Sequence, residues 1–301
     1  MAMPVIKRAV RHQKKGRIVF TGPSGSGKTW AALVCAHILA DGGKVGVIDT
    51  ENGSAEMFAG EFSDDLGAPF CFDVIELGPP FTPERYIEAF QSFVDAGYAA
   101  IVTDSTTHEW DGAGGCLEIH DEIAERTRNS YTAWGPVTPR HKSFLENLIV
   151  RSPVHTIGTA RAKTEYVQTK DDNGKTKIEK LGTGPIQRTQ FEFEWDVLCD
   201  INLDHTVFVT KSRVRTVEGK TYRKDLKSFA TALKEYLSGG EIAEPKISPA
   251  DLRALAEYGK LHNKTTDEIK AMVTEKFNKS VPDLTAPELS AIREAISEVA
   301  A

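Results

Sequence analysis

The sequence predicts an α/β fold: a mostly parallel, twisted sheet flanked by helices, followed by a small C-terminal three-helix domain. Three observations carry that expectation. Residues 18–40 pass from a β-branched run through a glycine-rich turn into apolar residues at helical spacing. Two further apolar runs, 45–48 and 99–102, each lead into an acidic residue. Beyond residue 247 the chain carries three capping-box patterns, each followed by an amphipathic stripe. Strand, loop and helix alternating in this way is the signature of parallel strands joined by crossover helices.

At 301 residues, 40% hydrophobic and 27% charged, the chain can bury one sizeable core and a small satellite. We expect a basic N-terminal arm over 1–15, a core over 16–237, a Gly- and Pro-containing linker over 238–247 and a helical domain over 248–301. The net charge of −6 is uneven: Lys7, Arg8, Arg11, Lys14, Lys15, Arg17 and Lys28 share the first forty residues with no acid. An acidic average therefore leaves room for a polyanionic partner. No apolar run is long enough to span a membrane and none follows the basic N-terminus as a secretion signal would, so a cytoplasmic location is expected. Cys35, Cys71, Cys116 and Cys199 form no C-x-x-C pair and are expected to be buried free thiols.

The first element, "IVFTGPSGSGKTWAALVCAHILA", contains Gly22, Pro23, Ser24, Gly25, Ser26, Gly27, Lys28 and Thr29 in the pattern G-x-x-x-x-G-K-[ST]. That spacing lets backbone N–H groups and a helix N-terminus wrap a β-phosphate, with Lys28 on the β- and γ-phosphates and the Thr29 hydroxyl on magnesium. ATP and Mg2+ are the expected ligands. The second, "VGVIDTENGSAE", delivers Asp49 and Glu51 to the C-terminal edge of a strand. In a parallel sheet this is the edge where nucleotide binds, and there Glu51 can polarise an attacking water. The third, "YAAIVTDSTTHEW", brings Asp104 to its strand end as the acid for the metal's water shell, so Thr29 and Asp104 form the expected metal pair. Glu109, five residues further on, is a rival for the base, and Glu51 has the rival role of capping its turn. His108, Cys116 and His120 lack a metal-ligand spacing, and Trp110 and Trp134 read more naturally as core than as base-stacking residues.

Between Arg161 and Arg188 lie Lys163, Lys170, Lys175, Lys177 and Lys180, on an alternating segment that turns at Asn173-Gly174. A basic, threonine-rich hairpin suits the phosphates of single-stranded DNA, and a solvated surface hairpin is the competing reading. The basic arm has the same two readings, a DNA contact or a soluble end. In the tail, Ser248 with Asp251, Thr265 with Glu268 and Thr285 with Glu288 are the capping boxes. Leu252, Leu255 and Leu261, then Ile269, Met272, Val273 and Phe277, then Leu289, Ile292, Ile296 and Val299 form the expected stripes.

With these residues in hand, the chain resembles the RecA-like P-loop NTPase core. "IDTE" is similar to that family's catalytic-glutamate strand, and "IVTDS" to its Walker B strand. "VHTIGTARAKTEY" resembles the strand leading to its second DNA-binding loop, which implies Thr159 as a γ-phosphate sensor. "VFVTKSRV" resembles the strand whose basic pair reaches a neighbouring subunit's ATP, which implies that role for Lys211 and Arg213. The resemblance is nearer to the phage-encoded single-strand annealing ATPases of the Sak type, over residues 15–237. It implies a DNA-stimulated ATPase that anneals or pairs strands in homologous recombination in a host cytoplasm. It also implies a homo-oligomer, with the tail recruiting DNA or a single-strand-binding protein; a passive stability or dimerisation module is the competing reading of the tail. The short segment before the core departs from RecA proper, which has an N-terminal polymerisation helix and strand, and this favours a ring or short oligomer over a long filament. The lysine that ParA- and MinD-type loops carry early is replaced here by Pro23 and Ser24. A DNA motor or helicase loader, and a nucleotide-gated adaptor with incidental hydrolysis, are the alternative functions.

Overall fold

Ile18 to Thr21, uncharged and rich in residues that suit a pleated surface, form the centre of strand β1 (Arg17–Gly22), buried on both faces. In this computed structural model, residues 8–170, 176–241, 247 and 249–299 are described. The chain divides into two compact units, one spanning Lys14–Ser238 and the other joining the described residues on either side of it.

In the larger unit, β1 is followed by α1 (Lys28–Ala40), β2 (Val45–Asp49), a small hairpin of β3 (Phe62–Ser63) and β4 (Ala68–Pro69), β5 (Asp73–Glu76) and α2 (Pro83–Asp95). Then come β6 (Ala100–Asp104), α3 (Thr107–Asp111), α4 (Cys116–Thr127) and α5 (Ser130–Leu145). The long hairpin of β7 (His155–Lys170) and β8 (Thr176–Pro185) precedes β9 (Val197–Ile201), β10 (Thr206–Ser212), β11 (Thr221–Arg223) and α6 (Leu226–Ser238). The nine-stranded sheet runs β11-β10-β9-β1-β7-β6-β2-β5, with β8 paired to β7 outside this path. β9, β1, β7, β6, β2 and β5 are mutually parallel, whereas β10, β11 and β8 pair antiparallel. The sheet is thus mostly parallel and flanked by helices.

Alternation along the strands splits the core in two. Ile18 and Phe20 face α1 and α6, where they pack with Leu33, Val34, Phe229 and Leu233. Val19, Ile48 and Ile101 face α2 and α5, among Tyr86, Phe90, Phe144 and Trp195. Gly46 is required on β2, because a Cβ there would lie 2.6 Å from the Phe93 ring. Of the four cysteines, Cys35, Cys116 and Cys199 are buried, but Cys71 is exposed in the loop before β5, contrary to the expectation for all four. No helix among the described residues is long and apolar enough to cross a membrane.

In the smaller unit, α7 (Pro249–Leu261), α8 (Thr266–Phe277) and α9 (Ala286–Val299) bury Leu255, Ile269, Val273, Leu289, Ile292 and Ile296 together. Thr265 and Glu268 form a reciprocal capping box, and Glu288 accepts from the Thr285 N–H at 2.9 Å. Ser248 lies outside the described residues. Leu261 departs from its expected stripe: it is the last residue of α7 and is 80% exposed. The end of the basic arm pairs with the segment after α6, since Gln13 donates to Glu241 O at 3.0 Å and Glu241 donates to Arg11 O at 2.9 Å.

His155, at the start of β7, accepts the Gly16 N–H on Nδ1 at 3.0 Å. Burial, with a smaller contribution from Lys15, holds its pKa at about 4, below the ordinary 6.5. A neutral, buried histidine contributes stability that is complete above pH 6.5 and is lost as pH falls from there through about 4, worth up to about 3 kcal/mol. Urea midpoints of wild type should fall across that window by more than those of His155→Gln; parallel pH profiles would contradict the assignment.

Candidate nucleotide site

The turn between β1 and α1 is shaped by glycine. Gly27, with φ 88° and ψ 23°, is the N-cap of α1 in the left-handed region, and a Cβ on it would lie 3.1 Å from His205 Nδ1. α1 has no acid in its first turn and no side-chain cap, so its first N–H groups face the loop. Ser26 Oγ is buried without a partner among the described residues. Lys28 Nζ donates to Pro23 O at 2.8 Å, and desolvation lowers its pKa.

Three strands converge beside this loop. β7 lies between β1 and β6, with Phe20 opposite Thr159 and Thr103 opposite Gly158. This register carries the Thr159 hydroxyl onto Asp104 Oδ1, while Thr29 Oγ1 donates to Asp104 Oδ2 at 2.6 Å. Asp104 is 2% exposed. Desolvation raises its pKa, and the bonds from Thr159 and Thr29 oppose that rise. Hard oxygen donors from Thr29 and Asp104, an uncapped helix end and a lysine fit a magnesium-bound nucleoside triphosphate.

Asp49 and Glu51 have different surroundings. Asp49, 1% exposed, accepts the Glu51 N–H at 2.7 Å and the Ala55 N–H at 2.8 Å, and so folds the turn after β2. Glu51 instead lines a cavity of about 950 Å³ with Lys28, Thr29, Asp104 and Arg161. Its Oε1 accepts Arg161 Nη2 at 3.0 Å and Nε at 3.1 Å. Glu109 is outside that cavity and fully buried, bonded to Cys116 Sγ at 3.1 Å, His141 Nδ1 at 3.1 Å and Gln187 Nε2 at 3.1 Å. Glu109, Cys116 and His141 have the ligand types of a metal site, but these separations describe a closed hydrogen-bond network. Sequence spacing could not reveal it, because its members come from α3, α4, α5 and the segment after β8.

Lys211 and Arg213 do not line the cavity. Ser212 pairs with Val197, which pairs with Ile18, so they stand at the end of the sheet opposite the loop. Lys211 Nζ donates to the carbonyls of Glu192 and Trp195, and Arg213 bonds Asp196 Oδ1 at 3.1 Å and Phe193 O at 2.9 Å. The cavity lining also includes Met57, Phe58, Phe62, His205, Val207 and Leu226, which the sequence reading did not select. The available signal was apolar residues within a polar loop: Met57 is 81% and Phe62 59% exposed.

β7 and β8 pair antiparallel from Ala162–Pro185 to Lys170–Thr176. Arg161 and Lys163 are exposed at its root. Arg188 bonds Thr138 Oγ1 at 3.1 Å and lies 5.6 Å and 6.0 Å from the Trp134 and Trp110 rings, which stack on each other. Lys175 and the Asn173-Gly174 turn lie outside the described residues, as do the side chains of Lys170, Lys177 and Lys180.

A family model described as an AAA domain matches residues 14–224. Among solved structures, the chain is similar to one described as the RadB recombinase, with 19% identity and a TM-score of 0.37, over 77% of this chain and 93% of that one. No curated protein matches.

Thr159→Val would remove one of two hydroxyls on a desolvated carboxylate and should cost about 1–3 kcal/mol. Denaturant unfolding without nucleotide would measure it, and an unchanged midpoint would mean that Asp104 does not depend on Thr159.

Proposed function

The chain belongs to the AAA domain family, and on that premise we propose that it is a magnesium-dependent ATPase that binds single-stranded DNA and promotes strand annealing or pairing, in the manner of the phage Sak-type recombinases. The observation that carries the ATPase part is the meeting of Thr29, Thr159 and Asp104 beside Lys28 and Glu51 at one sheet edge. Thr29 and Asp104 would hold magnesium, which when bound neutralises charge on the phosphate oxygens. Lys28 binds the β- and γ-phosphates, and the α1 N–H groups orient them. Thr159 sits between Asp104 and the root of the hairpin, where a hydroxyl can sense the γ-phosphate. Glu51 takes the proton of the attacking water. Glu109 is the weaker candidate for that task, because three donors already occupy its buried carboxylate.

Lys211 and Arg213, turned away from the chain's own loop, fit completion of a neighbour's site in a homo-oligomer, which would couple hydrolysis to assembly on DNA. The hairpin, with Arg161, Lys163, Lys170, Lys175, Lys177, Lys180 and Arg188, is the DNA surface in this reading, and the C-terminal helices are a site for DNA or a single-strand-binding protein.

ATP hydrolysis with and without single-stranded DNA, at two salt concentrations, tests the reading. DNA should stimulate wild type, less so at high salt. Glu51→Gln should lower the stimulated rate by roughly 10²- to 10⁴-fold. Normal turnover by Glu51→Gln and no response to DNA would overturn it, and intact annealing in Glu51→Gln would favour a nucleotide-gated adaptor.

A further inference from the structure

We infer that His205, in the turn between β9 and β10, is a positioning residue that tethers the phosphate-binding loop and fixes the direction of the Gly27 N–H; this rests on the nucleotide-binding reading above and deepens it. His205 Nδ1 lies 3.0 Å from Ser26 O, and a carbonyl can only accept, so Nδ1 carries the proton and donates. The Ser26–Gly27 peptide is trans and planar, which sets the Gly27 N–H antiparallel to the Ser26 carbonyl. Holding the carbonyl therefore holds the N–H, and in the G-x-x-x-x-G-K-[ST] pattern this N–H is among the groups that meet the phosphates.

The loop does not supply this hold from its own side chains. Ser26 Oγ is buried without a partner among the described residues, and the glycine on the other side of the peptide lets the unit rotate at little steric cost. An external tether therefore decides which way it faces. The turn that carries His205 is itself braced. β9 pairs with β1 as far as Thr21 and Asp200, the Thr21 hydroxyl donates to Asp200 Oδ1, and a Cβ on Gly22 would collide with Ile201 O, so the turn leaves the sheet directly beside the loop. His205 occupies the left-handed region at φ 62°, and its N–H donates to Asn202 O at 3.1 Å. The Thr206 N–H is shared between Asn202 Oδ1 and Asp204 Oδ1, both at 3.0 Å. Close approach of the ring also fits the absence of a side chain at position 27, where a Cβ would lie 3.1 Å from Nδ1.

The test is binding of magnesium with a fluorescent N-methylanthraniloyl ATP or ADP, a readout that needs no hydrolysis. His205→Gly removes the tether and accepts the left-handed backbone without strain, while His205→Asn accepts it too and returns an amide N–H at the reach of Nδ1. His205→Gly should raise the Kd for ATP and ADP alike by about tenfold, the scale of one hydrogen bond to a charged group, and His205→Asn should return it to within about twofold of wild type. Urea midpoints without nucleotide identify a variant whose turn has failed, and His205→Ala takes the place of His205→Gly in that case. Equal loss in the glycine and asparagine variants would overturn the tether and put the imidazole on the nucleotide itself. Wild type that binds neither nucleotide would remove the nucleotide reading and this inference with it, whereas wild-type binding matched by His205→Gly would remove only the tether.

Discussion

A carboxylate almost completely removed from water organises this protein. Asp104 ends β6 with no solvent to hydrate it, and an ionised group there is tolerated only with donors on its oxygens. The two donors are hydroxyls from different elements: Thr29 from the first turn of α1 and Thr159 from β7. The phosphate-binding turn, the acidic strand and the root of the hairpin are thus held in one arrangement by the requirement of a single buried charge. The order of the strands makes this possible, since β7 separates β1 from β6 and can present a side chain between them.

The other acids are distinguished by which donors reach them. Asp49 accepts two backbone N–H groups and is consumed in shaping the turn after β2. That turn sets where the chain leads Glu51, whose partner is a mobile type of donor, a guanidinium at the cavity wall. Glu109 receives a thiol, an imidazole and an amide in a closed network. Three carboxylates close in sequence to strand ends therefore divide into a scaffold group, a cavity-wall group and a core network, a division made by neighbours and not by residue type.

The cavity beside the loop is not uniformly polar. Lys28, Glu51, Asp104 and Arg161 line it together with the apolar Met57, Phe58, Phe62 and Val207 and with further charged residues such as Asp64 and Lys227. Ligand sites commonly combine a few convergent charged groups with apolar walls, and a nucleotide presents both kinds of surface. Lys211 in β10 and Arg213 just beyond it do not line the cavity, being held at the far end of the sheet by carbonyls of the segment before β9 and by Asp196.

The sequence by itself determined the local elements. Glycine spacing specifies the turn before α1, uninterrupted apolar runs specify buried parallel strands, and the threonine–glutamate pairs specify the starts of α8 and α9, because each depends on contacts within a few residues. It left open which carboxylate faces the nucleotide edge. Both Glu51 and Glu109 follow a strand closely enough to qualify, and only the packing of α3, α4 and α5 encloses one of them. The Glu51–Arg161 pair spans 110 residues and the Thr159–Asp104 bond spans 55, so both depend on strand order and register. Leu261 misled for the same reason: periodicity says which face a residue lies on, but not whether another helix covers that end of it. Tertiary structure decided these matters because burial and pairing of a side chain are properties of the space between elements, which no short stretch of sequence contains.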